Sequence, residues 1–180
     1  MNIFILNRDP QIAAQEMCDK HVVKMILESA QMLSTCHRVI DGKPERRSSL
    51  SGKRQTSYYK LDDWREQHMY RAVHTNHPCN VWLRESVSNY LWLYQHFLAL
   101  LAEYNLRYGK QHSCERLVDP FATVPNNIKN GLVTSFALAM PDDCKTDDVV
   151  VSYQNYYNKY KNKFATWKIR KTPSWFQQIA

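Results

Sequence analysis

Between Cys18 and Leu33 the chain sets Lys20, His21, Lys24, Glu28 and Gln31 mostly at spacings of three and four. On a helix turning about 100° per residue these side chains fall in one arc roughly 100° wide, and nearly every other position is apolar or small. Side chains so spaced can meet. An imidazole, two ammonium groups and a carboxylate therefore form one titratable cluster. The plainer alternative is a solvated stripe held by a Lys24–Glu28 pair, contributing about 0.3 kcal/mol. The chemistry open to the cluster is acid and base work. Beside cations, Glu28 can stay ionised and stabilise a developing oxocarbenium ion, or move a proton near an anomeric centre. Lys20, Lys24 or the amine of Met1 can attack a sugar carbon where burial or neighbouring cations free its lone pair. That combination suits the breaking of an N-glycosidic bond, with Glu28, His21, Lys24 and Met1 as candidate catalytic groups.

Other chemistries find less support. Cys18, His21, His74, His77 and Cys79 are metal-binding residue types, but zinc needs three or four convergent ligands, usually paired at short spacing. The run His74-x-x-His77-x-Cys79 straddles a proline break, so no metal and no cofactor is assigned. A nucleophile elbow, a phosphate-binding glycine loop and a dinucleotide fingerprint are absent.

The length suits one domain over residues 1–180 with a sizeable core. Hydrophobic content of 44% with only four glycines predicts a mainly α single-domain helical bundle with a short extended N-terminal segment. A net charge of +7 favours a polyanion such as DNA. Five cysteines without a Cys-x-x-Cys pair do not describe a disulfide scaffold, which predicts a reducing, cytoplasmic setting. No membrane partner is expected, and the oligomeric state is left open.

Ile3 to Leu6 predicts a short strand or a buried extended arm. Asp9-Pro10 marks a helix start. Asp19 then either caps a second helix or lies buried in a continuous one, where it needs a partner. From Asp41 to Ser57 loop formers and cations predict an exposed, mobile basic loop, in which Arg46, Arg47, Lys53 and Arg54 are candidates for phosphate contact. Its alternative is an inert insertion. A helix from about Leu61 to His74 should end at Thr75-Asn76-His77, and Pro78 should begin the main packing helix, which stops at Gly109. On that helix Trp82, Ser86, Asn89 and His96 recur beside Trp92, either as core or as the wall of a pocket for a flat ligand. Candidate substrate-binding residues are Lys20, Gln31, Asn76, His77, Trp82, Arg84 and Asn89. Residues from Leu117 to Met140 are mostly loop. A tyrosine-rich helix from Thr146 to about Trp167 leads to Lys168, Arg170, Lys171, Trp175 and Phe176, where cations could hold phosphates and rings stack on bases.

The run Glu16-Met17-Cys18-Asp19-Lys20-His21, with Glu28 nine residues after Asp19, resembles the N-terminal helix of phage pyrimidine-dimer DNA glycosylases of the endonuclease V type. There an Asp-x-His precedes the catalytic glutamate at the same distance. Pro173-Ser174-Trp175-Phe176 is similar to the Pro-x-Trp-aromatic run near the end of those enzymes. The chain also resembles phage proteins of unassigned activity that share Cys18 to His21 and Asn76 to Pro78. The resemblance implies a glycosylase-like helical fold, DNA as partner, Glu28 as catalytic carboxylate and an N-terminal α-amine as attacking group. In the family that amine is exposed by loss of the initiator methionine; here Met1 to Asn7 includes an extra apolar arm, from which the amine need not reach Glu28. Leu27 and Gln31 stand where the family has basic residues. The leading expectation is a DNA N-glycosylase and abasic lyase. Its rivals are a non-catalytic nucleic-acid-binding or regulatory protein and an enzyme of free nucleosides or nucleotides.

Overall fold

The computed structural model describes residues 1–49 and 51–177. Its elements are α1 (Pro10–Glu16), α2 (Asp19–Asp41), β1 (Lys43–Ser48), β2 (Gln55–Lys60), α3 (Arg65–His68), α4 (Pro78–Leu83), α5 (Val87–Tyr108), α6 (Val118–Ala122) and α7 (Val149–Tyr160). The chain is mainly α, with one two-stranded sheet among the described residues. No helix among them is long and apolar enough to cross a membrane.

The first helix begins as its residues dictate. Asp9 accepts the Gln11 and Ile12 amides, and Pro10 takes a position whose amide would be unpaired anyway. The chain then breaks at Met17 and Cys18. Asp19 is the first residue of α2 and is buried. Along α2, Val22, Met25, Ile26, Ala30, Leu33 and Cys36 recur at helical spacing and are sealed. They pack chiefly against α5 and α4. Each such Leu, Ile or Met contributes about 1.5–3 kcal/mol by burial.

Four expected elements differ. The segment read as a basic loop is an antiparallel hairpin, β1 against β2, pairing Arg46 with Ser57 and Arg47 with Thr56. Backbone pairing and Gly52 at φ +70° build it without an apolar alternation. The helix expected from Leu61 to His74 shrinks to α3, because Arg38 and Ser34 on α2 take the backbone groups of Met69 and Tyr70. The main packing helix is broken at Arg84–Ser86. There Ser86 accepts the Asn89 amide, and the Asn89 side chain donates to Trp82 O at 2.7 Å. The tyrosine-rich helix ends at Tyr160, earlier than the aromatic pattern implied. Gly109 stops α5 at φ 62°, as its type predicts.

The N-terminal arm is not a strand. Ile3, Phe4, Ile5 and Leu6 are buried in the core, and Phe4 sits at φ 56°. A left-handed Phe costs about 1–3 kcal/mol. Its ring offsets this by stacking on His21 at 4.4 Å and packing on Tyr156 and Tyr157.

Candidate active site

The bend at Phe4 carries the start of the chain back across α2. Asn2 is locked there: its Oδ1 accepts the Ile3 and Phe4 amides, and its Nδ2 donates to Ala139 O at 2.7 Å. The Asn2 amide then donates to Glu28 Oε2 at 2.9 Å, and the Met1 ammonium lies 3.5 Å from the same oxygen. Lys24, one turn earlier, reaches Glu28 Oε1 at 3.4 Å. The structure therefore brings the amine to Glu28 in spite of the extra apolar arm, because the arm is folded inward. The Glu28 side chain is 13% exposed and that of Lys24 68%, so the cluster opens to solvent on the lysine side.

The opposite wall is the turn before α4. Asn80 donates to Val73 O at 3.1 Å, to His74 O at 2.9 Å and to the Met1 sulfur at 3.2 Å. Arg84 donates to Thr75 O at 2.8 Å. Thr35 on α2 accepts the Val73 amide. His74 is held at φ 47°, a strained backbone kept by this many anchors. His77 caps α4: its Nδ1 accepts the Cys79 amide at 3.2 Å, so a neutral ring carries its proton on Nε2. Burial, then the Met1 amine and His74, push its pKa down, against a smaller opposite pull from Glu28. Cys79 is sealed behind it, its thiol pushed up to about 12 by burial.

Several sequence-predicted residues lie elsewhere. His21 is inward, hydrogen-bonded through Nδ1 to Tyr157 at 2.5 Å, and burial lowers its pKa to about 3. It supports Phe4 and makes no contact with Glu28. Lys20 lies over the Phe164 ring at 5.3 Å, and Gln31 is half-buried one turn beyond Glu28. Asn76 is exposed on the turn. Trp82 is 2% exposed among Trp92 and Phe136, and Asn89 spends its amide on Trp82 O, Thr134 Oγ1 and the Thr134 amide. Both are core, and of the residues read as a pocket wall it is Trp92 that lines a cavity. Trp175 donates to Glu16 at 3.0 Å and packs on Tyr157, while Phe176 packs on Trp167. Arg170 is paired with Glu103 at 2.6 Å. The tail aromatics thus dock on the protein itself; Lys168 and Lys171 stay exposed.

Asn2 and Asn80 carried no signal in the sequence, and His74 drew notice only as a metal-binding residue type. Asn-His-Pro (Asn76 to Pro78) and the run from His74 to Cys79 drew attention to their neighbourhood. Two cavities of about 560 and 550 Å³ lie beside Trp92 and Phe136 and beside Leu98 and Arg170. Neither is lined by Glu28 or Met1. Among the described residues no three His, Cys, Asp or Glu side chains converge as metal ligands.

A carboxylate paired with the primary amine of Met1, beside a solvent-open lysine, is equipped for imine chemistry at a sugar carbon. The family model described as pyrimidine dimer DNA glycosylase matches residues 1–116, a span that holds Met1, Lys24, Glu28 and the turn from His74 to His77. No curated protein and no solved structure matches the chain. With the matched span covering most of its length, the chain belongs to the pyrimidine dimer DNA glycosylase family.

Proposed function

We propose that this protein excises a damaged pyrimidine from DNA and cleaves the resulting abasic strand, with the Met1 α-amine as nucleophile and Glu28 as the carboxylate that serves it. The observation that supports this is the meeting of the Met1 amine and the Asn2 amide at one Glu28 oxygen, 3.5 and 2.9 Å away. The amine lone pair forms a bond to C1′ of the target deoxyribose. The bond from C1′ to the base breaks, its electrons leave with the base, and the base takes up a proton. The amine gives a proton to Glu28; the C1′–O4′ bond then breaks, O4′ takes that proton up as a hydroxyl, and the nitrogen lone pair closes the protonated Schiff base. Loss of a C2′ proton then breaks the C3′–O3′ bond, and the downstream strand leaves with a 5′ phosphate. The negative charge of Glu28 is aimed at the cation that develops at C1′.

Lys24 is the lesser candidate for attack. α-Amines as a class give up their proton more readily than lysine ammonium groups. Its role is to hold Glu28 and meet DNA. His77 offers an Nε2–H as a hydrogen-bond donor to the leaving base. The target nucleotide has to leave the duplex to reach the amine, and its approach is from the solvent-open side of the cluster at Lys24.

Incubation with an abasic oligonucleotide and borohydride tests this. The expected product is a covalent adduct at the α-amine of Met1, formed by reduction of the Schiff base. Placing Gly-Ser before Met1 should abolish it, and Glu28→Gln should stop turnover while DNA affinity persists. An adduct at Lys24, or unchanged trapping by the extended protein, overturns the assignment of the nucleophile. A non-catalytic binder would have no turnover for Glu28→Gln to remove.

A further inference from the structure

A second basic region is built onto the same helix that carries Glu28. The Arg38 guanidinium, 1% exposed, donates to Tyr59 O at 3.0 Å, Tyr70 O at 2.6 Å and Met69 O at 3.1 Å, and pairs with Glu66 at 2.6 Å. It thereby ties β2 and the chain from Glu66 to Tyr70 to one point of α2. Arg38 lies ten residues beyond Glu28, about 15 Å along the helix axis. The hairpin root is thus held at a set distance from the amine and carboxylate.

Beside this anchor the Tyr58 ring carries two further guanidiniums. Arg47 of β1 lies 3.5 Å from the ring centroid and Arg71 lies 5.8 Å from it. Arg71 is exposed, stands three residues before His74 and has no carboxylate partner among the described residues. It joins the hairpin to the turn that walls the site. Arg46 on the opposite face of the hairpin, and Lys53 and Arg54 towards its tip, are exposed and likewise without an ion pair among the described residues. Arg47 also pairs with Glu45, whereas the Arg71 guanidinium, resting on the ring, keeps its planar fork free for a phosphate. A two-stranded ribbon is also narrow enough to follow a DNA groove.

We infer that Arg71 and the basic hairpin form a second contact with duplex DNA, gripping phosphates on one side of the nucleotide that meets Glu28. The 15 Å offset corresponds to about four to five nucleotides at 3.4 Å per step. The inference rests on DNA being the substrate. It adds where the duplex must run and which residues hold it.

The test uses duplexes carrying a tetrahydrofuran abasic analogue, with affinity measured by fluorescence anisotropy across a salt series. For every phosphate that a variant no longer neutralises, the slope of log affinity against log salt should flatten by about 0.9. Arg46→Ala, Lys53→Ala, Arg54→Ala and Arg71→Ala combined should flatten it by about three to four and weaken binding more than about tenfold at 0.15 M salt. Arg46→Glu alone should weaken binding more than Arg46→Ala. These side chains are exposed, so melting temperatures should hold. Trimming one arm of the duplex to fewer than about four base pairs should weaken the wild type but leave the quadruple variant unmoved, and trimming the other arm should affect both alike. Unchanged slope and affinity, or no arm preference, overturns the inference and leaves the hairpin a solvated insertion. Borohydride trapping on a short abasic duplex at saturating protein reads the catalytic proposal separately. Its failure in the wild type would leave the salt slope to decide this one.

Discussion

On α2 two carboxylates stand nine residues apart, Asp19 and Glu28, in opposite surroundings. Asp19 is saturated. One oxygen accepts Arg107 at 3.2 Å, and the other accepts the Thr166 hydroxyl and the Lys168 amide at 3.1 and 3.0 Å. Arg107 in turn pairs with Glu103 and donates to Met17 O and Gln15 O. Arg107 and Glu103 are themselves buried. Glu28 is met by a chain terminus, one backbone amide and a lysine that is 68% exposed. The difference teaches that, in the Asp-x-His…Glu pattern, the aspartate fastens the carboxy-terminal segment and α5 to the start of α2. The glutamate keeps capacity for a reacting group.

Breaking the pattern at its reactive end should give the largest effect. Glu28→Gln should lower single-turnover excision by about 10³-fold or more, while the melting temperature stays close to wild type. A full loss of folding would place Glu28 with Asp19 instead. The mirror experiment is Asp19→Ala, which strands Arg107 in the interior and should cost about 3–5 kcal/mol in urea unfolding. Activity per folded molecule should change only a few-fold.

The contrast sharpens for buried groups that hold no charge. Burial lowers the pKa of His21, His37 and His96 to about 3. Unfolded histidine titrates near 6.5, so between about pH 6.5 and 3 the unfolded chain binds more protons than the native one. Stability should therefore be complete above about pH 6.5 and fall steadily as the pH drops, which melting curves against pH would register. Neither His96 ring nitrogen has a hydrogen-bond partner among the described residues. His96→Phe should be neutral or stabilising at pH 7 and should flatten the acid limb; an unchanged limb would remove His96 from the account. The smallest effect is expected from Lys24→Ala. Its exposed pair with Glu28 contributes about 0.3–0.5 kcal/mol to stability, and excision should slow only a few-fold.

Much of the helical framework could be read directly. Asp9-Pro10 and Gly109 mark helix ends because caps act on backbone groups two to four residues away. The apolar rhythm of α2 fixes its buried side for the same local reason. Glu28 and Lys24 were legible as a pair, one turn apart. His21 looked like their neighbour on a helical wheel, yet Tyr157 and Phe4 pulled it inward. Asn89 and Trp82 looked like a pocket wall until Thr134 and Phe136 filled the space in front of them. The basic hairpin carried no alternating pattern to announce it, since its strands are held by backbone pairing and by Arg38.

What the chain determined by its residues alone is a mainly helical protein with a carboxylate and an ammonium on one exposed helical stripe. Short-range sterics, capping and hydrophobic periodicity suffice for that. Tertiary structure decided which polar groups are sealed and which remain free. It set the Met1 amine on Glu28, from 27 residues away in sequence, and tied Trp175 to Glu16 across 159 residues. Such choices follow from the burial of whole segments against one another, where desolvation decides whether a polar side chain must be satisfied in place or stays available for reaction.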